Sequence, residues 1–224
     1  MNLEFEQRMR QIKRNLARTS TLLLLAGVTG CSPLVSRAPQ VAFFDFGLME
    51  SAGVAAAPSP LQVDVVAPSW LSGSAMQYRL AWKQPERRRS YGESRWVAPP
   101  PDLLAQTLRR AFSGTHGKAG DAAGRSPCRL RVELDEFVQV FDTAERSRLQ
   151  LVVRAQLLPA HGSVPLAVRE FGRNESAPTP DAEGGVNAAR AAVSGLALDL
   201  SGWLDSLRRS SGHDTNGMAP CALT

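Results

Sequence analysis

Two hydrophobic periods divide this chain. In Leu61-Gln62-Val63-Asp64-Val65-Val66-Ala67, Leu61, Val63 and Val65 share one face, which predicts a strand stopped by Pro68. Met76 to Trp82 alternates again, with Met76, Tyr78, Leu80 and Trp82 on one side. The clearest alternation sets Leu130, Val132 and Leu134 between Arg129, Arg131, Glu133 and Asp135, and runs on to Phe141. Asp142 to Ser147 has the length of a hairpin loop, and Leu149, Leu151, Val153, Ala155 and Leu157 lead back. Val164 to Phe171 predicts a third strand of this meander. Val41 to Gly47, dense in aromatics, predicts a first strand, and Tyr91 to Val97 a short one. The polar, arginine-rich Gln84 to Ser90 reads as a turn, and Asn174 to Glu183 as a Pro-rich linker.

The helical period appears twice. After Pro99-Pro100-Pro101, Asp102 suits a helix start, where a carboxylate meets free backbone N–H groups. Leu103, Leu104, Leu108, Ala111 and Phe112 then share one face. Near the end, Val186, Ala189, Val193, Leu196, Leu200, Trp203 and Leu207 form an apolar stripe spaced alternately by three and four. Such a stripe packs on a sheet. The sum is an α+β fold: a mostly antiparallel sheet carrying two helices, about 102–113 and 182–209, in one domain spanning 41–209. Residues 51–60 and 114–127 read as loops, and 210–224 as a polar tail.

Before residue 41 the pattern changes. Lys13, Arg14 and Arg18 precede an apolar run from Leu22 to Val28, followed by Thr29, Gly30 and Cys31. A charged segment, a short apolar run and small residues form the layout of a secretory leader, and the run is far too short to span a bilayer. Val28-Thr29-Gly30-Cys31 resembles the lipobox of bacterial lipoproteins, in which the cysteine becomes the first mature residue and carries the lipid. The expected organisation is a signal peptide over 1–30, a tether over 31–40, the domain, then the tail.

This leader alters the charge argument. The chain carries +5, but residues 1–30 hold five of its 26 basic and two of its 21 acidic residues, leaving +2. A balance that small gives no argument for nucleic acid. With Cys31 assigned to lipid, Cys128 and Cys221 remain as a candidate disulfide in an oxidising compartment.

Catalytic chemistry has little to build on. His116, His161 and His213 each lie in a polar loop or the tail, and no Gly-x-Ser-x-Gly elbow occurs. There is no His-Glu-x-x-His or Cys-x-x-Cys for a metal, and Gly184-Gly185 lacks the lysine of a phosphate loop. No cofactor is implied. Glu133, Asp135 and Glu136 sit beside arginines, as on a solvated sheet face with cross-strand ion pairs. Trp70, Leu71, Tyr91 and Trp96 remain, as core or as partner contacts.

Several segments together resemble the ABC-type transport auxiliary lipoproteins, the outer-membrane lipoprotein component of paraquat-inducible-type and related mammalian-cell-entry (MCE) lipid transport systems. The lipobox cysteine opens the likeness. Leu61 to Ala67 followed by Pro68-Ser69-Trp70-Leu71 is similar to the family's first core strand, and Met76 to Leu80 to its next. Ser94-Arg95-Trp96-Val97-Ala98-Pro99-Pro100 resembles its Arg-Trp-Ala-x-Pro segment, and Leu130 to Phe137 its central strand ending in Glu-Phe. The resemblance implies a non-enzymatic protein at the outer membrane, facing the periplasm, anchored through Cys31. Its implied partners are an MCE-domain periplasmic protein with an inner-membrane permease and ATPase. Trp70, Leu71, Arg95 and Trp96 are the candidate contact or core positions. An assembly or chaperone-like lipoprotein of another envelope system, for secretion or polysaccharide export, is the competing expectation.

Overall fold

The computed structural model describes residues 9, 11, 40–48, 61–112 and 128–211. Cys31, His116, His213 and Cys221 lie outside them, as do the expected leader, the loops 51–60 and 114–127, and the tail from 212. Residues from Gln40 onward cluster as one compact unit.

Its spine is a hairpin of two long strands, β5 (Cys128–Phe141) and β6 (Ser147–Pro159). They pair antiparallel along their whole length, with one bulge between Leu134 and Glu136. β7 (Ala167–Ser176) adds antiparallel to β6. On its other side β5 takes two shorter strands. Its first half pairs in parallel with β2 (Gln62–Val66), and its last residues with β3 (Ala75–Leu80). β4 (Gln84–Trp96) folds back antiparallel on β3, and β1 (Ala42–Phe44) runs parallel to β4 at the sheet edge. Seven strands thus form one mixed, largely antiparallel sheet.

Two helices pack on it. α1 (Pro100–Ala111) contacts β2, and α2 (Ala182–Ser211) contacts β6 and β7. Inward residues of β2, β5 and β6 join both helices in one core cluster. This is the expected α+β domain. The stripe of α2 explains its docking: Val186 to Trp203 are buried at every expected position, with Leu207 half-buried. Leu196 and Leu200 are 0% exposed, and burial of each contributes about 1.5–3 kcal/mol before chain entropy is counted. An edge contact between Phe171 and Trp203, ring centroids 5.8 Å apart, fixes α2 over β7.

The start of α2 is capped by Asp181. Its Oδ1 accepts from the Gly184 N–H at 2.7 Å and from the Thr179 hydroxyl at 2.8 Å. These bonds, the backbone one foremost, hold its carboxyl below the usual range. A depressed folded-state value stabilises the protein above the unfolded pKa, near 4, and the contribution disappears as pH falls through the folded value. Asp181→Ala is therefore expected to lose about 1 kcal/mol at pH 7. Its deficit should narrow in acid, as urea unfolding at pH 7 and pH 3 would show.

Four local expectations are corrected. Gln84 to Ser90 is strand, the first half of β4, because its backbone pairs with β3 while Glu86 and Arg87 reach outward and Arg88 lies across the sheet onto Glu136. β3 ends at Leu80, so Trp82 leaves the sheet and is half exposed. β7 occupies 167–176 and takes in Asn174 to Ser176, which pair with Arg148 to Gln150. Pro100 and Pro101 open α1 two residues early, as proline's fixed φ and missing N–H allow in a first turn.

Candidate functional site

The feature that stands out on the surface grows from a short turn. After β2, Ser69–Leu71 forms one turn of 3-10 helix, closed by Leu71 N–H to the Pro68 carbonyl at 2.9 Å. Leu71 plugs into the core at 1% exposed, which aims its neighbour Trp70 outward at 54% exposed. Gln77 on β3 donates its side-chain N–H to the Trp70 carbonyl at 2.6 Å. The Arg88 guanidinium lies 5.9 Å from the Trp70 ring centroid, a distance suited to cation–π attraction.

Arg88 is itself held from three sides. It donates to Gln77 Oε1 at 3.0 Å and to both carboxylate oxygens of Glu136 at 2.7 and 2.8 Å. Arg79 donates to the same carboxylate at 2.8 Å. Glu136 sits at the bulge of β5, which turns it toward β3 and β4. Charge-assisted bonds of this length are among the stronger protein hydrogen bonds. One carboxylate between two guanidiniums leaves a net positive patch beside an exposed indole. Such a surface can bind, but it holds no nucleophile and base in register.

The four sequence-selected positions therefore divide. Leu71 and Trp96 are core: Trp96 is 3% exposed and meets the rings of Phe46 and Phe137 at 5.4 and 5.7 Å. Arg95 turns back on its own strand and donates to the carbonyls of Tyr91 and Ser94. Trp70 alone of the four is an exposed aromatic. Glu136 was noted in sequence only among the carboxylates of its strand, and Arg79 and Arg88 were not singled out, because partners 48 and 57 residues apart leave no local signal.

Elsewhere the polar groups serve the fold. Gln139, buried at the helix-covered face, accepts from the Tyr91 hydroxyl at 2.9 Å and donates to the Ser147 hydroxyl at 2.8 Å and the Asp181 carbonyl at 3.0 Å. Burial, with Asp181 and Tyr78 nearby, pushes the Tyr91 phenol well above its ordinary range, so it stays protonated. Glu133 takes Arg131 at 3.4 Å and, across the strands, Arg154 at 3.8 Å. A groove of about 360 Å³ between the end of β1 and α1 is lined by Asp45, Leu48, Val97, Gln106, Thr107 and Arg110. His161 lies exposed in the β6–β7 turn. Among the described residues no cluster of three metal-ligating side chains occurs, and no helix is long and apolar enough to cross a membrane.

The sequence model of the ABC-type transport auxiliary lipoprotein component family matches residues 49–201. The chain belongs to that family. Family membership makes it an auxiliary lipoprotein of ABC-type transport, in keeping with the resemblance carried by Leu61 to Leu71 and Ser94 to Pro100. Solved structures share its fold. A Xanthomonas campestris protein of family DUF330 is similar at a TM-score of 0.59 and 19% identity, covering 79% of this chain and 97% of that one. A second solved protein, described as uncharacterized, gives 0.55 and 13%, covering 74% and 99%. At such identities the likeness speaks for fold alone. No curated protein matches the chain.

Proposed function

We propose that the chain is a non-enzymatic accessory protein, anchored through acylated Cys31 in the outer membrane and facing the periplasm. There it docks an MCE-domain protein that works with an inner-membrane permease and ATPase to move lipid between membranes. The family match over 49–201 carries this reading. The Trp70–Arg88 patch supports a docking role, since exposed Trp and Arg held in fixed geometry are the residue types that anchor protein interfaces. Anchoring adds to it physically: a lipid tether raises the local concentration of a partner site without requiring a large interface.

Crosslinking in intact cells followed by purification from solubilised membranes tests it. An MCE-domain protein should be recovered, and Trp70→Ala should reduce the recovery about ten-fold or more while leaving the unfolding midpoint unchanged. Recovery of secretion or polysaccharide-export components instead would favour the competing assembly role. Neither kind of partner after exhaustive crosslinking would sink both.

The pairing of Cys128 with Cys221 belongs to the same proposal. Cys128 is the buried first residue of β5, and with Cys31 assigned to lipid Cys221 is its candidate partner. A bridge closing so long a loop would contribute on the order of 4 kcal/mol on the chain-entropy account. Reduction should slow the denatured protein on a gel. Free thiols at both positions in the native protein would contradict the pairing.

A further inference from the structure

We propose that the free edge of β1 rests in the headgroup layer of the bilayer that holds the Cys31 anchor. This rests on the lipid-anchor reading above. β1 ends the strand order on its side, so one flank of its backbone has no strand of the described residues beside it. Phe44 and Phe46 turn into the core, and the alternation of a strand leaves Phe43, 64% exposed, and Val41 on the outside. Asp45 Oδ1 accepts the Gly47 N–H at 2.7 Å, and Gly47 takes a left-handed φ of 66°. That turn sends Leu48 outward at 82% exposed. The Val97 N–H donates to the Phe44 carbonyl at 2.8 Å, which puts exposed Val97 in the same place. Four large apolar side chains thus stand in water at one corner of the domain, a grouping that marks a contact surface.

The covalent path to the anchor names the occupant. β1 is the first strand of the sheet, and Val41 follows Cys31 by ten residues, a span of at most about 36 Å. The start of β1 is therefore the part of the sheet nearest the lipid along the chain. A tether that short holds the apolar corner at high effective concentration beside the bilayer. A patch too small to capture a free membrane then suffices.

The groove beside this corner suits that occupant. Leu48 and Val97 form its apolar rim, while Asp45, Gln106, Thr107 and Arg110 line it. The exposed Arg190 of α2 adds a second cation, its guanidinium 3.6 Å from where a Cβ on Gly47 would stand. Apolar side chains bounding a polar cleft of both charges match a bilayer surface, where acyl chains lie beneath zwitterionic and anionic headgroups. The unpaired backbone of β1 sets the depth. Its outward N–H and C=O groups need water or headgroup oxygens, so the edge stays above the hydrocarbon.

The test uses the full lipidated chain with the photocrosslinker p-benzoylphenylalanine in place of Phe43, Leu48 or Val168. Each is reconstituted into vesicles of phosphatidylethanolamine and phosphatidylglycerol with radiolabelled acyl chains. Val168 is comparably exposed but lies on β7 at the opposite sheet edge, about 24 Å across the strands. Irradiation should transfer label to the protein at positions 43 and 48, and position 168 should stay at the level of the dark control. No transfer at 43 and 48, or equal transfer at 168, overturns the proposal. So does a protein adduct in place of a lipid one at position 43 in irradiated cells, which would make a partner protein the occupant. Flotation of the same vesicles reports the anchor separately. A chain that floats without labelling at 43 and 48 keeps the anchor and loses the edge contact. A chain that does not float loses both.

Discussion

Gly184→Ala is expected to lower the unfolding free energy by about 3 kcal/mol, and Gly185→Ala by roughly 2 kcal/mol. Both residues lie in the first turn of α2, where alanine would otherwise gain about 1 kcal/mol over glycine in helix propensity. Space decides the sign. A Cβ on Gly184 would stand 2.0 Å from the Thr179 carbonyl oxygen and 2.6 Å from its hydroxyl. The carbonyl is backbone and cannot swing aside, and the hydroxyl is the one that holds the Asp181 cap. A Cβ on Gly185 would stand 2.2 Å from Gln139 Oε1. That side chain can move, but only by giving up bonds to Tyr91, Ser147 and Asp181 in a buried place. An unsatisfied buried amide costs more than a surface one, so Gly185→Ala is not relieved freely. Gly202, later in the same helix, has nothing within 4 Å of its would-be Cβ. Gly202→Ala should therefore stabilise, by about 0.5–1 kcal/mol. Denaturant midpoints of the three variants give the comparison. Equal stability of Gly184→Ala and the parent would mean that the turn at Thr179 does not fold against the first turn of α2 at this distance.

The same helix shows what a sequence can reveal. Its three-four stripe specified the buried face of α2 because a long amphipathic helix on a sheet has one way to hide seven apolar residues. The alternation of β5 and β6 was equally plain, since one face is helix-covered and the other solvated. Other parts depended on partners distant in the chain. Gln84 to Ser90 has no apolar alternation; it is strand because β3 offers it a ladder, and only the fold supplies β3. The parallel pairs β2–β5 and β3–β5 leave no mark in periodicity, because period two is common to both pairings. Trp82 continues the alternation of β3 on paper, yet the ladder has already ended at Leu80. The candidate site was half legible. Trp70 and Leu71 could be selected together as a bulky pair, but a 3-10 turn aims neighbours in different directions, so which one enters the core was not readable. Of the Arg79–Glu136–Arg88 cluster only the carboxylate was noted in sequence; its two partners were not readable, as the cluster exists only where a bulge brings β5 toward two arginines of other strands.

Cys31→Ser is expected to abolish acylation and with it membrane retention of the processed domain. The argument begins with the atom. The diacylglyceryl group is transferred to a thiol, which is far more nucleophilic near neutral pH than the serine hydroxyl of almost the same size. Each buried methylene contributes about 0.8 kcal/mol, so one chain anchors marginally and several together anchor in effect permanently. Losing the first transfer also loses the chains added after it, so the change is all-or-none. Metabolic labelling with palmitate should mark the parent and leave the variant blank; label persisting in Cys31→Ser would refute the assignment. The folded unit begins at Gln40, nine residues beyond the cysteine, so the variant's unfolding midpoint should match the parent's. That match separates the anchor from the fold. If the protein acts by being held beside its partner, transport should then fall with local concentration, by about 10²–10⁴-fold for a lost tether, and overproduction of the unanchored domain should restore part of it.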